Sequence, residues 1–331
     1  MITGDHALTA QAIAKELGIT GKTITGDYLQ KLSVKELANL VDEVFIYARV
    51  SPFHKLNILK ALQSKGHIVA MTGDGINDSP ALKDADIGIA VNSGSDVAKE
   101  VSKMILLDNN FNSIVEAVKE GRGIYDNIKK FIKFLFSCNL AEVMLIFFSL
   151  LIGLPLPLIA IQILWMNLVT DGLPAISLGV DPVSDDVMSK KPRKKDERIL
   201  HNGDIFNVIS LALIMCAGTL LLFKLYLVYF DIKYAQTMAF STMVMFQLFN
   251  CFNFRLDRTK KFFSKELFKN KLLITSFFIS LILQIGIIYL FSDIFNVVEL
   301  KLIDWVWITL VSSLVLVFYR TKTWLISKHQ I

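Results

Sequence analysis

The stretch Met71-Thr72-Gly73-Asp74-Gly75-Ile76-Asn77-Asp78-Ser79-Pro80-Ala81-Leu82 decides how this chain is read. It follows the short apolar run Ile68-Val69-Ala70-Met71, of a length suited to a buried parallel strand. Two glycines then let the backbone turn sharply and approach a ligand closely. The acidic side chains therefore fall at the carboxyl end of a strand, where open α/β sheets bind ligands. Asp74, Asn77 and Asp78 put two carboxylates and an amide within five residues, a hard-oxygen set suited to Mg²⁺ beside a phosphoryl group.

Helix and strand alternate on both sides of this stretch. Upstream, Thr3-Gly4-Asp5 leads into Ala7–Gly18, which has helical spacing and a terminal glycine. A Thr-Gly-Asp turn before a helix offers backbone N–H groups to an anion. Val44–Val50 is β-branched and aromatic enough for a strand that Ser51-Pro52 ends, and His54–Leu62 continues as an amphipathic helix with Lys55 in its first turn. Thr25-Gly26-Asp27 has no long apolar strand before it and reads as a plain turn. Downstream, Asp86–Val91 and Lys103–Asp108 supply two further strands. The pattern predicts a doubly wound parallel sheet over residues 1–110. A helix starts at Phe111, and no proline interrupts residues 113–154.

Beyond residue 130 the composition changes. The chain of 331 residues is 53% hydrophobic, and its mean hydropathy of +0.50 exceeds that of ordinary soluble proteins. A helix needs about 20 apolar residues to cross the hydrocarbon core. Six segments qualify, about 131–152, 158–180, 205–229, 235–254, 272–292 and 303–319, with 321–331 as a tail. The net charge of +5 invites a nucleic-acid partner, yet most basic residues fall between the apolar segments. Lys190, Lys191, Arg193, Lys194, Lys195 and Arg198 crowd residues 181–204, and 255–271 is equally basic. The positive-inside rule then places these loops and both termini in the cytoplasm. The expectation is a multi-pass protein surrounded by membrane lipid, with no nucleic-acid partner. The absence of targeting signals suits a bacterial plasma membrane. Cys138, Cys216 and Cys251 lie in apolar runs and are odd in number, which argues against a disulfide framework.

An ionisable side chain at mid-bilayer costs ~2.5–3.5 kcal/mol on insertion scales and calls for a partner or ligand. Asn139 and Glu142 are three apart in the first apolar segment and share a helix face; Asn167, Thr170 and Asp171 do so in the second. Pro174 cannot donate to the Thr170 carbonyl, so the helix is expected to loosen there and free backbone oxygens. These donors are all oxygens, as hard cations prefer, and Ca²⁺ takes six to eight of them. Two buried acids repel unless a cation or proton intervenes. Asn250, Asn253, Gln162 and Gln284 read as polar contacts between helices, and Lys224 as a snorkelling side chain.

These stretches together resemble the P-type cation-transporting ATPases. Thr72–Leu82 is similar to the family's hinge motif, and Thr3-Gly4-Asp5 to its Thr-Gly-Asp motif, with His6 where many relatives have Asn. Ala48-Arg49-Val50-Ser51-Pro52-Phe53-His54-Lys55 resembles the segment whose lysine contacts the transferred phosphoryl group. Asn139-Leu140-Ala141-Glu142 looks like the fifth, and Asn167–Ala175 like the sixth, transmembrane helix of the calcium-transporting members. The resemblance implies the carboxyl-terminal part of a haloacid-dehalogenase-like phosphorylation domain over residues 1–110, a stalk helix over 111–130 and six transmembrane helices over 131–320. It implies catalytic roles for Lys55, Asp74, Asn77 and Asp78, with Asp74 holding Mg²⁺. It implies contacts of Thr3, Gly4, Asp5 and Lys55 with phosphate or nucleotide of ATP. It assigns Asn139, Glu142, Asn167, Thr170 and Asp171 to transported Ca²⁺. Gln247 stands where the muscle-type pump has Glu, a departure that makes it a weaker ligand.

The resemblance spans nearly all of these residues but only the carboxyl half of the family. No Asp-Lys-Thr-Gly-Thr segment, whose aspartate the family phosphorylates, occurs here, nor does the Thr-Gly-Glu loop, the nucleotide-binding insert or the first four transmembrane helices. The expectation is a truncated reading frame, a split gene or a fragment, inactive without an amino-terminal partner. Two other readings stand beside it. One is a non-catalytic membrane protein derived from such a pump that binds a cation or a partner; the other is a pump for Na⁺, K⁺ or Mn²⁺. Thr170-Asp171-Gly172-Leu173-Pro174 favours calcium.

Overall fold

The computed structural model describes residues 1–193, 197–255 and 268–328. Lys194 and Lys195 of the first basic loop, most of the second, and the last three residues of the tail lie outside them. The chain forms two compact units, Met1–Val118 with Lys191–Glu197, and Lys119–Lys190 with Arg198–Ile331.

The first unit is α/β. In order it contains α1 (Ala7–Glu16), β1 (Lys22–Thr25), α2 (Gly26–Leu29), α3 (Val34–Leu40), β2 (Val44–Ala48), α4 (Pro52–Ser64), β3 (Ala70–Gly73), α5 (Ser79–Asp84), β4 (Ile87–Val91), α6 (Asp96–Val101) and β5 (Met104–Leu106). All strand pairs are parallel, but they fall into two small sheets, β1-β2 and β3-β4-β5, where the alternation had suggested one. Met1–Thr3 runs beside β2: Tyr47 N–H donates to the Met1 carbonyl at 2.8 Å and Thr3 N–H to the Tyr47 carbonyl at 2.9 Å. Helix α4 serves both sheets. Its Ile58 and Ala61 pack with Ile24, Val44 and Tyr47, while Leu59 packs with Met71, Leu82 and Ala90.

Thr25-Gly26-Asp27 is not a plain turn, because a strand precedes it and a helix begins at Gly26. Strand β1 has four residues and buries only Ile24, so it carries no apolar run to read. The glycine is required: a Cβ there would stand 2.0 Å from the Arg49 carbonyl oxygen. Arg49 itself takes φ 51°, which ends β2 one residue after Ala48.

The second unit is helical: α7 (Phe111–Leu151), of which residues from Lys119 onward belong here, α8 (Ala160–Trp165), α9 (Gly172–Gly179), α10 (Asn202–Tyr229), α11 (Ile232–Arg255), α12 (Lys271–Leu290), the short α13 (Ser292–Phe295) and α14 (Leu302–Lys328). Among the described residues five spans are long and apolar enough to cross a membrane: α7, Ala160–Gly179, α10, α12 and Leu302–Thr321. The sequence had suggested six. Helix α11 has the length, at 24 residues, but Gln236, Thr237, Ser241, Thr242, Gln247, Asn250 and Asn253 make it too polar. Nineteen of its residues are buried among its neighbours, and Gln236, Thr237, Gln247, Asn250 and Asn253 find hydrogen-bond partners there, whereas among the described residues Ser241 Oγ and Thr242 Oγ1 find none. Asn250 Nδ2 donates to Ser137 Oγ at 2.8 Å, and Asn253 Nδ2 to the Val315 carbonyl at 3.2 Å. Gly218 of α10 lets Phe246 approach, for a Cβ would lie 2.5 Å from its ring.

Candidate functional site

In the α/β unit the expected phosphate-handling residues lie at the carboxyl ends of β2, β3 and the Met1–Thr3 segment. Val50 N–H donates to the Thr3 carbonyl at 3.2 Å and Arg49 N–H to the Asp5 carbonyl at 3.0 Å, fixing the Thr3-Gly4-Asp5 turn against the end of β2. Within the turn Thr3 Oγ1 donates to Asp5 Oδ2 at 2.7 Å and accepts from Asp5 N–H at 3.1 Å. Nothing lies within 4 Å of where a Gly4 Cβ would be, so the turn is open on that side.

Lys55 reaches its place through the start of α4. Ser51 caps the helix, accepting from His54 N–H while His54 Nδ1 accepts from Ser51 N–H, and Pro52 presets the first turn. One residue further on, Lys55 Nζ lies 2.5 Å from Asp78 Oδ1. Asp78 is buried in the single turn Ile76–Asp78, whereas Asp74 and Asn77 are exposed. The hard-oxygen set read from the sequence thus divides: Asp78 is neutralised by Lys55, and Asp74 and Asn77 face outward. Gly73 makes room for this, since a Cβ there would stand 2.6 Å from the Asp78 Cβ.

Sequence reasoning missed the loop after β4. Ser95 N–H donates to the Asp74 carbonyl at 2.8 Å, and a Cβ on Gly94 would meet that oxygen at 2.9 Å. The signal was present as Ser93-Gly94-Ser95-Asp96, a turn followed by the Ser95 cap of α6.

In the helical unit Glu142 on α7, Asp171 at the head of α9 and Gln247 on α11 converge. Gln247 Nε2 lies 2.7 Å from Glu142 Oε1 and 3.3 Å from Asp171 Oδ2, and Asn167 Nδ2 donates to Glu142 Oε2 at 3.1 Å. Glu142 is 4% exposed; Asp171, Thr170 and Gln247 are fully buried. Between α8 and α9, Met166–Thr170 forms one wide π turn in which Asp171 N–H donates five residues back to the Met166 carbonyl at 2.8 Å. The loosening expected at Pro174 therefore begins a turn earlier, and Thr170 Oγ1 bonds the Met166 carbonyl at 3.2 Å.

Among the described residues, Asp171 Oδ1 and Gln247 Oε1 are buried acceptors that receive no hydrogen bond. Both await a proton donor or a cation, and with Glu142 they form an all-oxygen donor set that fits a hard cation. Asn139 does not join this cluster. It is exposed on α7 and has no hydrogen bond among the described residues. Three residues along a helix amount to a rotation of about 60°, enough to separate an inward Glu142 from an outward Asn139. Gln247, the weakest candidate by sequence, is the residue that links the two acids. Among the described residues no three His, Cys, Asp or Glu side chains gather as a metal cluster.

Comparison with known proteins agrees with both parts. Residues 1–86 match the haloacid dehalogenase-like hydrolase family, and residues 155–325 match the family described as cation transporting ATPase, C-terminus. The chain is 46% identical over 315 residues to a calcium-transporting ATPase of Bacillus subtilis, covering 92% of this chain and 35% of that protein. It is 40% identical over 341 residues to calcium-transporting ATPase 1 of Saccharomyces cerevisiae, covering 100% of this chain and 36% of the yeast protein. It is 41% identical over 311 residues to the human calcium-transporting ATPase type 2C member 1, covering 92% of this chain and 34% of that one. The chain spans about a third of the length of the curated relatives it matches. With its apolar helices it is a multi-pass membrane protein. A haloacid-dehalogenase-like unit followed by these membrane helices, and a family match over more than half its length, make this chain a member of the cation-transporting ATPases.

Proposed function

We propose that this chain is the carboxyl-terminal part of a P-type pump that couples ATP hydrolysis to Ca²⁺ transport across a bacterial plasma membrane. The observation that carries the reading is the meeting of Glu142, Asp171 and Gln247 from three helical elements, with two carboxylates buried together and, among the described residues, no cationic side chain bonded to either. Such a pair is held apart from lipid only at high cost unless a cation or proton shares it. The names of the relatives, all calcium-transporting, favour Ca²⁺ as that cation. Thr170 and Asn167 stand beside the pair as further oxygen donors, and Asn139 would join only if α7 turned.

At the other site, Asp74 and Asn77 offer hard oxygens at the mouth of β3, a set that fits Mg²⁺. When bound, Mg²⁺ supplies positive charge next to a transferring phosphoryl group. Lys55, paired with Asp78 here, supplies a point cation, and the Thr3-Gly4-Asp5 turn would offer phosphate oxygens the Gly4 N–H and, once it leaves Asp5, the Thr3 hydroxyl. The aspartate that receives phosphate from ATP lies in the amino-terminal part of the pump, with which this chain must act. Among the described residues strand β3 is an edge strand, paired on one side only by β4, and so retains backbone groups for that part to pair with. The basic residues at the ends of the membrane helices favour a cytoplasmic side for both termini.

The test replaces the matching third of the Bacillus subtilis relative with this chain and measures Ca²⁺ uptake by membrane vesicles. Asp171→Asn is expected to abolish uptake. Uptake at the unmutated rate would overturn the assignment of the cation site.

A further inference from the structure

Helix α9 is eight residues long and lies between two acids, Asp171 at its head and Asp181 two residues past its end. Regular helix continues across neither end. Upstream stand Gly172 and the wide π turn Met166–Thr170; downstream Gly179 ends the helix and Pro182 follows Asp181. The place of α9 beside α7 therefore depends on the bonds that its two ends make.

At the Asp181 end those bonds are dense. The carboxylate is fully buried, with Lys130 Nζ of α7 at 2.6 Å from Oδ2 and Arg255 Nε of α11 at 2.7 Å from Oδ1. Asn270, at the start of α12, donates from Nδ2 to the same Oδ1 at 2.9 Å. Asn127 of α7 adds a bond from Nδ2 to the Asp181 carbonyl at 2.6 Å. One residue thus joins the end of α9 to three other helices. A buried ion pair adds little net stability, because desolvating two charges offsets their attraction. What it supplies is register, since a buried charge tolerates only the geometry that keeps its partner.

Lys130 and Asp181 form the second of two rungs between the same two elements. Glu142 of α7 meets Asp171 through Gln247, which bonds both; 12 residues earlier on α7, Lys130 meets Asp181, which lies 10 residues after Asp171. At 1.5 Å per residue the two spans are about 18 Å and 15 Å, within one helical turn of each other. A slide of α7 along α9 therefore strains both rungs at once. We propose that Asp181 is a positioning residue for cation binding: held by Lys130 and Arg255, it sets the place of α9 on α7 so that Asp171 faces Glu142 across one cation. This rests on the reading of Glu142 and Asp171 as the cation site. Ca²⁺ holds its oxygens at about 2.3–2.6 Å, and such a constellation must be kept within about 0.5 Å, so a small displacement of Asp171 removes a ligand.

The experiment uses the complete pump in which this chain replaces the matching third of the Bacillus subtilis relative, and reads uptake by vesicles against Ca²⁺ concentration. Asp181→Asn is expected to raise the half-saturating Ca²⁺ concentration about tenfold, or ~1.4 kcal/mol, while the rate at saturating Ca²⁺ stays within about twofold. Lys130→Met should shift it in the same direction, and Lys130→Arg, which keeps a cation beside Asp181, should not. A residue that serves folding alone would lower the maximal rate and leave the half-saturating concentration where it was; that result would overturn the proposal. Tyr226→Phe, which removes a 2.6 Å bond to Asp304 outside the Asp181 group, controls for general loosening of the bundle. A shift there equal to that of Asp181→Asn would overturn it as well. Where Asp181→Asn yields no folded pump, the two Lys130 variants decide by the same criteria. Asp171→Asn separates the two readings. Uptake lost in that variant, with Asp181→Asn unshifted, refutes the positioning role alone; uptake retained in it refutes the cation site and this inference together.

Discussion

Gln247 Nε2 lies 2.7 Å from Glu142 Oε1, a bond between residues 105 positions apart in the chain. The same nitrogen reaches Asp171 at 3.3 Å, so one neutral amide stands between two buried acids. An amide there can donate to both carboxylates when no cation is bound, and its orphan Oε1 can turn to a cation when one is.

Replacing Gln247 by leucine removes that donor while keeping most of the volume. In a complete pump the apparent Ca²⁺ affinity should fall by about tenfold, or ~1.4 kcal/mol. In the chain alone, two buried carboxylates lose a hydrogen bond, which costs about 1–3 kcal/mol and is read as a lower thermal midpoint in detergent. An unchanged affinity would show that Gln247 is not a ligand.

Lys55→Met strands the Asp78 carboxylate in a nearly closed environment. Breaking a buried pair costs ~3–5 kcal/mol, and since the Lys55 side chain is 22% exposed, water reduces this to about 2–3 kcal/mol by partial solvation. The double variant Lys55→Met/Asp78→Asn should recover most of that stability in urea unfolding of residues 1–118. It should not recover phosphorylation in the complete pump. A double variant as unstable as the single one would mean that the pair is not what holds Asp78.

Gly73→Ala tests the geometry of the same site from the strand side. Its methyl group would stand 2.8 Å from Asp78 Oδ2 and 2.6 Å from its Cβ, so Asp78 must shift and its geometry to Lys55 must change. Overpacking of this kind costs about 1–3 kcal/mol. A crystal structure of the variant should show the Lys55–Asp78 pair displaced from its 2.5 Å geometry.

Tyr47 carries a buried hydroxyl with no hydrogen-bond partner among the described residues. Burial, and secondarily the Asp42 charge, push its ionisation up to about 12. Because the folded value exceeds the unfolded one of about 10, the stability that Tyr47 contributes is complete below pH 10 and is lost as the pH rises towards 12. Tyr47→Phe should remove that alkaline loss and, by deleting an unsatisfied buried group, stabilise the α/β unit by about 1 kcal/mol at pH 7. Denaturant unfolding at pH 7 and pH 11 separates the two effects.

Much of this molecule was determined by local sequence. Twenty apolar residues can only be a buried or membrane-crossing helix, Ser51-Pro52 can only start α4 cleanly, and a chain without proline from residue 113 to 154 can run on as the 41-residue α7. The motif Thr72–Leu82 put Asp74 at the end of β3 because an apolar run followed by glycines marks a strand that stops in a turn. These features depend on neighbours along the chain, and a sequence displays such neighbours directly.

Only the tertiary structure decided what depends on packing between distant elements. Strand β1 is recognisable by its pairing with β2, not by its four residues. Helix α11 reads by length as one more apolar segment, and only its packing shows which of its polar side chains find partners on neighbouring helices. Asn139 and Glu142 share a face by spacing, yet α7 turns one outward and buries the other, because rotation about the helix axis is set by what packs against it. Gln247 acquires its meaning in the same way: a glutamine among apolar residues becomes the link between Glu142 and Asp171 once three helical elements bring them within hydrogen-bonding distance.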